Sequence, residues 1–346
     1  MNIAAVAEKA GVSTATVSRT INGLPSVRPK TAAKVRRAIA LLGFHPDNNA
    51  RALGSGRSSL YGLIISDITN PFFPEVVRAF EQIATKHQRD ILIGNTDYDP
   101  ARMENCVHRM LSRKVDGVAI MTSEMDRALL ESFSSRNIPL VVLDSGQVGP
   151  KMSNIAIDYE VGMIEAISHL VSLGHQRIGF VTGPLKLVSA SLRYGAFLSA
   201  RKLFKLGHSL RAIFKSDHSM AGGYSAACHL LKTYPQMTAL VCSNDLSAFG
   251  ALQAAYELGL HVPDDLSIVG YDDIKLSAFA HPALTTVSVP RQELAEIAFK
   301  SLFRFEEEDY FSDQGEQHRL VTSLTQRGST ARPPSPARLA KRRRLI

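Results

Sequence analysis

The segment from Ser13 to Asn22 combines short polar side chains with one arginine, which is the chemistry that reads double-stranded DNA. Gly11 separates it from a preceding helix with an apolar face, a pattern typical of a helix-turn-helix. Its short residues let the backbone approach base edges, and its arginine can bond a guanine bidentately, worth about 1–3 kcal/mol of discrimination. The candidate base-contacting residues are Thr14, Ala15 and Arg19. Ser13, Thr16 and Ser18 suit phosphate contacts, and Asn22 joins them as a candidate DNA-binding residue. The alternative is a helical hairpin with a purely structural role.

A second group of polar and aromatic side chains follows apolar runs that are typical of buried strands. Because ligands of open α/β sheets bind beyond the carboxyl ends of the strands, we expect these side chains to converge. Aromatic rings pack on a sugar face while carboxylate and amide groups bond its hydroxyls, which favours a small polyhydroxylated ligand. The candidates are Asn70, Phe72, Phe73, Ser123, Asp144, Asn244 and Asp272. A capping role for Asp272 and a core position for either phenylalanine are the alternatives.

Three short helices are predicted in residues 1–45. Ser13 is suited to cap the second, Pro29 to begin the third, and Gly43 to end it. Residues 46–59 are polar and rich in Gly and Ser near their end, which predicts a linker with a short helix from Asn48 to Leu53.

From Tyr61 onward, short apolar runs alternate with helical stretches. Such alternation is typical of a parallel sheet with helices on both faces. The pattern resumes after Asp158, so residues 60–330 are predicted to form two doubly wound lobes.

The basic charge is concentrated at the two ends of the chain. Residues 1–58 contain nine Lys or Arg against Glu8 and Asp47, and the last fifteen residues contain six Lys or Arg and no acid. The intervening body is net acidic. This asymmetry favours a polyanionic partner for the N-terminal segment, although a solvated basic face is the alternative.

Composition and motifs exclude several classes of protein. No apolar run reaches the roughly 18 residues of a membrane span, and the N-terminus lacks a signal-peptide pattern, so we expect a cytoplasmic, nucleoid-associated protein. Three widely spaced cysteines favour neither disulfides nor a zinc site. Walker, G-x-S-x-G and HExxH motifs are missing, so we expect no enzyme, no cofactor and no metal. A sugar- or nucleobase-binding module without a regulatory role is the alternative to a regulator.

Several motifs resemble the LacI/GalR family of bacterial repressors over residues 2–328. They are VAEKAGVSTATVSRTING, PDNNARAL, SDITNPFF, RKVDG, LGHQRIGFVTGPL, SNDLSAFGAL, VPDDLSIVGYDDI and PALTTVSVP. The resemblance implies an N-terminal all-α helix-turn-helix domain joined to an α/β periplasmic-binding-protein-like effector domain. It also implies a homodimer that binds a palindromic operator, with residues 46–59 forming a hinge helix. In that hinge, Leu53 would wedge into the minor groove beside Asn48 and Arg51.

The same resemblance implies that a small sugar-like effector in the cleft between lobes controls DNA affinity. It adds Arg193 and His218 to the candidate effector residues and is strongest to the ribose- and purine-responsive repressors. The lobes would exchange chain near residues 157–160, 288–291 and 320–324. Some family positions differ here: Ala5 and Arg28 replace helix-capping residues, and Leu187, Ser145 and Val289 replace pocket residues. Residues 331–346 are Pro- and Arg-rich, and we expect a basic, disordered tail.

Overall fold

The fold was analysed in a computed structural model of the chain. The structure describes residues 2–21, 24–44, 57–122, 125–206, 212–306 and 313–342. It divides into two compact units, residues 1–59 and residues 60–346, each of which is described by itself.

The first unit contains the three predicted helices, α1 (Ile3–Ala10), α2 (Thr14–Ile21) and α3 (Pro29–Leu42). Their core is small and aliphatic, built on Val6, Val17 and Val35, which are fully buried. Gly11 takes the left-handed backbone conformation that ends α1. Although the sequence suggested weak capping of α1, Asn2 caps it, because its side-chain oxygen accepts a hydrogen bond from the Ala5 amide at 3.1 Å.

The second unit contains two six-stranded sheets flanked by helices. The first-lobe sheet has the order β11-β5-β4-β3-β1-β2, in which β11 is Gln317–Val321, and all of its strand pairs are parallel. Its central strands β1, β3 and β4 are apolar and almost entirely buried, as expected where a sheet is covered on both faces, whereas the edge strands β2 and β11 are only partly buried. The elements up to the first crossover are β1 (Leu60–Ile65), α4 (Phe72–Lys86), β2 (Asp90–Asn95), α5 (Pro100–Ser112), β3 (Gly117–Met121), α6 (Arg127–Ser134), β4 (Leu140–Leu143) and β5 (Met152–Asp158).

The second-lobe sheet has the order β12-β10-β9-β8-β6-β7, with only the β10–β12 pair antiparallel. Two 3₁₀ turns, Lys275–Ala278 and Arg304–Glu306, complete the second unit. The remaining elements are α7 (Tyr159–Ser172), β6 (Ile178–Thr182), α8 (Val188–Leu203), β7 (Ile213–Lys215), α9 (Met220–Thr233), β8 (Ala239–Cys242), α10 (Asp245–Glu257), β9 (Ser267–Asp272), β10 (Thr285–Ser288), α11 (Arg291–Phe303), β11 (Gln317–Val321), β12 (Ser323–Thr325) and α12 (Pro336–Arg342).

The chain passes between the two sheets three times. It leaves the first sheet after Asp158, returns after Ser288 to place β11 beside β5, and enters the second sheet again between Val321 and Ser323. Three connections between the lobes place the carboxyl ends of β1, β4 and β9 at a shared cleft, which is where the polar side chains collect.

The C-terminal segment differs from the disordered tail that the sequence suggested, because residues 336–342 form α12. Ser267 and His175 both bond the backbone carbonyl of Ala331, at 3.2 and 2.7 Å. Arg338 then pairs with Asp265, whose side chain is 10% exposed. The composition of the tail gave no sign of these contacts because their partners lie in β9, in α7 and its following turn, and in the loop before β9.

Candidate nucleic-acid interface and ligand cleft

Helix α2 has one buried and one exposed face. Val17 and Thr20 are buried, whereas Thr14, Ala15 and Arg19 are exposed. The side chains predicted to contact bases are therefore presented to solvent on a helix that is held from behind by an aliphatic core. This arrangement suits insertion of the helix into the major groove of DNA.

The predicted phosphate-contacting hydroxyls also shape the start of α2. The Ser13 hydroxyl oxygen accepts a hydrogen bond from the Thr16 amide at 3.2 Å and lies 2.9 Å from the Thr16 hydroxyl. Ser13 is thus the predicted N-cap, and Ser18 is half-buried on the same helix. Asn22, Asn48, Arg51 and Leu53 lie outside the described residues, so their predicted roles remain predictions.

Helix α3 carries a basic surface that the sequence analysis did not single out. Lys30, Lys34, Arg36 and Arg37 are exposed, and the helix contains no acidic residue. The sequence could have revealed this surface, because these residues supply much of the excess positive charge of the N-terminal segment. They strengthen the electrostatic attraction of the first unit for a polyanion.

The cleft of the second unit collects eight of the nine candidate effector residues, and the ninth, Ser123, lies outside the described residues. Both phenylalanines line it, with their rings edge to face and 5.3 Å apart, although both are also largely buried. The side chains enclose a cavity of about 50 Å³, room for a few water molecules. The lining candidates are Asn70, Phe72, Phe73, Asp144, Arg193, His218, Asn244 and Asp272.

A buried ion pair lies at the centre of this cleft. Arg193 and Asp272 have a nitrogen and an oxygen 2.9 Å apart, and their side chains are 9% and 4% exposed. The guanidinium also lies over the rings of Tyr271 and Tyr159, at 4.4 and 5.3 Å, and donates to the Ser243 carbonyl at 2.6 Å. Burial opposes the charge of Arg193, but its attraction to Asp272 and the tyrosines outweighs burial and raises its pKa. For Asp272, burial outweighs Arg193 and raises the pKa of the carboxyl group.

Asp144 is fixed by the protein on two sides. Its carboxylate accepts hydrogen bonds from the Tyr159 hydroxyl at 2.6 Å and from the Ile157 amide at 2.9 Å. Burial raises the pKa of Asp144 despite these bonds and the nearby Arg193. Asp144 can offer a ligand only the acceptor capacity that these two donors leave.

The two candidate asparagines act partly as caps. Asn244 caps α10 by accepting from the Ser247 amide at 2.9 Å, and its amide nitrogen donates to the His218 carbonyl at 2.8 Å. Asn70 accepts from the Phe72 amide at 3.1 Å. Asn244, rather than the neighbouring Asp245, is the N-cap of α10, because the Asn244 side chain bonds a free amide of the first helical turn.

His218 contributes a polar atom with no protein partner. Its Nε2 is buried and has no hydrogen-bond partner among the described residues. Burial and the neighbouring Arg193 lower the pKa of His218 to about 3, so the ring is neutral near pH 7. A buried polar atom without a partner costs free energy, which a bound molecule can recover.

A further set of residues that line this cleft was not predicted from the sequence. Tyr159 stands out among these residues, because it bonds Asp144 and supports Arg193. It directly follows β5, but the mixed polar and apolar residues 152–158 were not predicted to form a strand, so the search at the ends of predicted strands did not find it. Leu187, Ser145 and Val289, which replace family pocket residues, are not among the described residues that line the cleft. The missed lining residues are Ser66, Tyr98, Met121, Thr122, Leu143, Ile157, Tyr159 and Ser189.

Comparison with known proteins agrees with both units. Residues 2–47 match the family described as bacterial regulatory proteins, lacI family, and residues 167–330 match the periplasmic binding protein-like domain. The HTH-type transcriptional repressor PurR of Mannheimia succiniciproducens is 35% identical over 301 residues, covering 86% of this chain and 90% of that protein. The chain belongs to the lacI family.

Solved structures of lacI-family proteins show the same architecture. A lac repressor dimer bound to operator and the anti-inducer ONPF has a TM-score of 0.83 and 29% identity, covering 96% of this chain and 99% of that one. A lacI-family regulator from Enterococcus faecium with bound ribose has a TM-score of 0.70 and 30% identity, covering 79% of this chain and 99% of that one.

Family membership makes this chain a DNA-binding transcriptional regulator, and the family consists of regulators rather than enzymes. The α/β domain with two lobes is the periplasmic-binding-protein-like domain expected from the motifs. In the part of the chain that the structure describes, no helix has the length and apolar character needed to cross a membrane.

Proposed function

We propose that this lacI-family regulator is a repressor controlled by a small, neutral, sugar-like effector bound between Phe72, Phe73, His218 and the Arg193–Asp272 pair. The observation that carries the proposal is the buried ion pair at the centre of an aromatic, amide-lined cleft. An ion pair offers both acceptors and donors to hydroxyl groups without demanding a net charge on the ligand. The ribose bound by the Enterococcus faecium regulator supports a sugar of this class.

The charge of the cleft argues against a phosphorylated ligand. Arg193 is the one permanently charged basic side chain among the described lining residues, and Asp272, Ser243 and two tyrosines already engage it. Two buried carboxyl groups, Asp144 and Asp272, also line the cleft and oppose the positive charge of Arg193. A phosphate group would therefore lose its hydration without gaining a free cation.

The size of the cavity implies that binding moves the lobes. About 50 Å³ holds only a few water molecules, and a monosaccharide is larger. We therefore expect effector binding to change the relative position of the lobes, and this change in lobe geometry is the signal passed to the DNA-binding unit. The sign of the response, induction or corepression, follows from which lobe geometry the operator complex favours.

A thermal-shift panel of pentoses, hexoses and nucleobases, with matched sugar phosphates, tests the effector class on the full chain. A neutral sugar at a hundredfold excess over its Kd should stabilise the protein by about 2.7 kcal/mol. The shift should disappear in Asp272→Asn and persist in Asp273→Asn, because Asp273 pairs with Arg327 and does not line the cleft. A response confined to sugar phosphates, or to nucleobases, contradicts the proposal.

We also infer that the protein acts in the cytoplasm as a homodimer on a palindromic operator, with one α2 helix in each half-site. The second lobe exposes Phe279 and Tyr256, which are 85% and 77% accessible. Tyr256 lines a groove together with His281 and Pro282, which lie two and three positions after Phe279 in the sequence. Sedimentation equilibrium should give a dimer that Phe279→Asp weakens, while Leu203→Asp, at another exposed position of the second lobe, leaves it unchanged.

A further inference from the structure

We propose that Arg291 is a positioning residue that holds the backbone behind Asp272 and fastens it to Glu75 of the first lobe. Its guanidinium bonds the carbonyl oxygens of Asp272 and of Asp273, the latter at 2.5 Å. Its Nε lies 3.0 Å from the Glu75 carboxylate. One side chain therefore joins the end of β9 in the second lobe to α4 in the first. This inference rests on the cleft proposed above, but its test needs no sugar.

The backbone that Arg291 holds is strained. Asp272 and Asp273 have φ angles of +108° and +55°, in the left-handed region that favours glycine. Two consecutive non-glycine residues keep such a conformation only where their surroundings impose it. Arg291 imposes it directly, because its donors fix both carbonyl oxygens. The strained turn in this way aims the Asp272 carboxylate at Arg193.

Glu75 completes a connection between the lobes. Its second carboxylate oxygen accepts a hydrogen bond from the Lys275 amide at 2.9 Å, across 200 residues of sequence. Glu75 lies one turn after Phe72 and Phe73 on α4, so the same helix carries cleft-lining rings and this anchor. Glu75 and Arg291 are each 16% exposed, which protects their contact from solvent screening.

The position of Arg291 explains why one residue can serve both lobes. It is the first residue of α11, directly after the chain leaves β10 of the second sheet. Helix α11 packs along α4 of the first lobe, so its first residue lies between the two sheets. Any change in the relative position of the lobes that moves α4 must therefore strain or release the turn that presents Asp272.

A charge swap separates this role from that of a simple ion pair. In Glu75→Arg/Arg291→Glu the two charges are exchanged, so a simple ion pair would be restored. Glutamate at position 291 would instead face the carbonyl oxygens of Asp272 and Asp273, for which it has no donors. The swap should therefore fail to restore the ordered turn at Asp272 and Asp273. Arg291→Lys should restore it only partly, because one ammonium cannot bridge three separate acceptors in a fixed plane.

Amide hydrogen exchange on the ligand-free, full-length protein tests the proposal. In Arg291→Met, residues 271–277 should exchange at least tenfold faster than in the wild type, relative to the core strand 117–121. Arg89→Met is the matched control, because it breaks a comparably buried ion pair with Glu306 away from the cleft. It should lower overall stability without selective exchange in 271–277. Unchanged exchange in folded Arg291→Met, or full rescue by the charge swap, overturns the proposal. If no sugar in the thermal-shift panel bound, the effector proposal would be wrong, but the exchange result for Arg291→Met would still support the role of Arg291.

Discussion

Arg193 and Asp272 lie 79 positions apart in sequence and form an ion pair buried beneath the rings of Tyr159 and Tyr271. Removing one partner leaves the other charge buried and unpaired, which costs about 3–5 kcal/mol. Asp272→Ala should therefore lower the free energy of unfolding by about that amount in chemical denaturation. Arg193→Met/Asp272→Leu, which removes both charges, should recover part of the loss. A loss below 1 kcal/mol in Asp272→Ala would mean that water reaches Arg193.

The neutral state of His218 predicts a loss of stability in acid. Its pKa is about 3 in the folded protein and about 6.5 when unfolded, so the unfolded chain binds the proton more readily. This contribution is complete above pH 6.5 and declines as the pH falls from 6.5 towards 3. His218→Gln should flatten the decline by up to about 1.4 kcal/mol per pH unit, measured by urea unfolding at several pH values. Equal slopes for both proteins would contradict burial of a neutral ring.

Asp245 predicts the opposite trend. Burial, followed by the nearby charge of Asp272, raises the pKa of Asp245 to about 7 despite hydrogen bonds from Ile274, Ser277 and Thr286. Its folded pKa exceeds its unfolded value of 3.8, so this contribution is complete below pH 3.8 and is lost as the pH rises through 7. Asp245→Asn should consequently destabilise the protein less at pH 8 than at pH 5. Urea unfolding at both pH values measures this, and a cost independent of pH would contradict it.

Arg19 is expected to specify one base pair in each half-site. Arg19→Ala should weaken binding by about 1–3 kcal/mol and relax the preference at that position alone. Titration of single-substituted duplexes around a selected operator measures the effect. Lys34→Ala, on the exposed basic surface of α3, is the control and should weaken all duplexes alike while reducing the salt slope by about 0.9. A uniform loss for Arg19→Ala would make it a phosphate contact instead.

Two contacts near the C-terminus, those of Ser329 and Arg338, should contribute different amounts to the free energy of unfolding. Ser329 is buried and bonds both the Ile268 carbonyl and the Thr285 amide, at 2.6 and 2.8 Å. Ser329→Ala should therefore cost about 1–3 kcal/mol of unfolding free energy. Arg338→Ala removes a half-exposed ion pair and should cost less than about 1 kcal/mol. Denaturant unfolding ranks the two, and the reverse order would mean that α12 anchors the segment.

Local sequence signals determined the helices, the strands and the two-lobe architecture. Gly11, Ser13, Pro29 and Gly43 act within one turn of the chain, so their capping and breaking roles are visible without tertiary structure. The period of the apolar residues likewise revealed which faces are buried. The polar residues that follow predicted strands then identified most of the cleft, because parallel strands bring their carboxyl ends to one edge of the sheet.

Only the tertiary structure decided how the cleft residues are partnered. Tyr159 joins Asp144 to Arg193, and Arg291 joins Asp272 to Glu75, through contacts between residues 15 to 216 positions apart. The C-terminal segment is ordered for the same reason, since its partners Asp265 and His175 are distant in sequence. Hydrogen bonds and ion pairs depend on distances of a few ångströms in space, whereas periodicity and composition report only which side of an element faces the core.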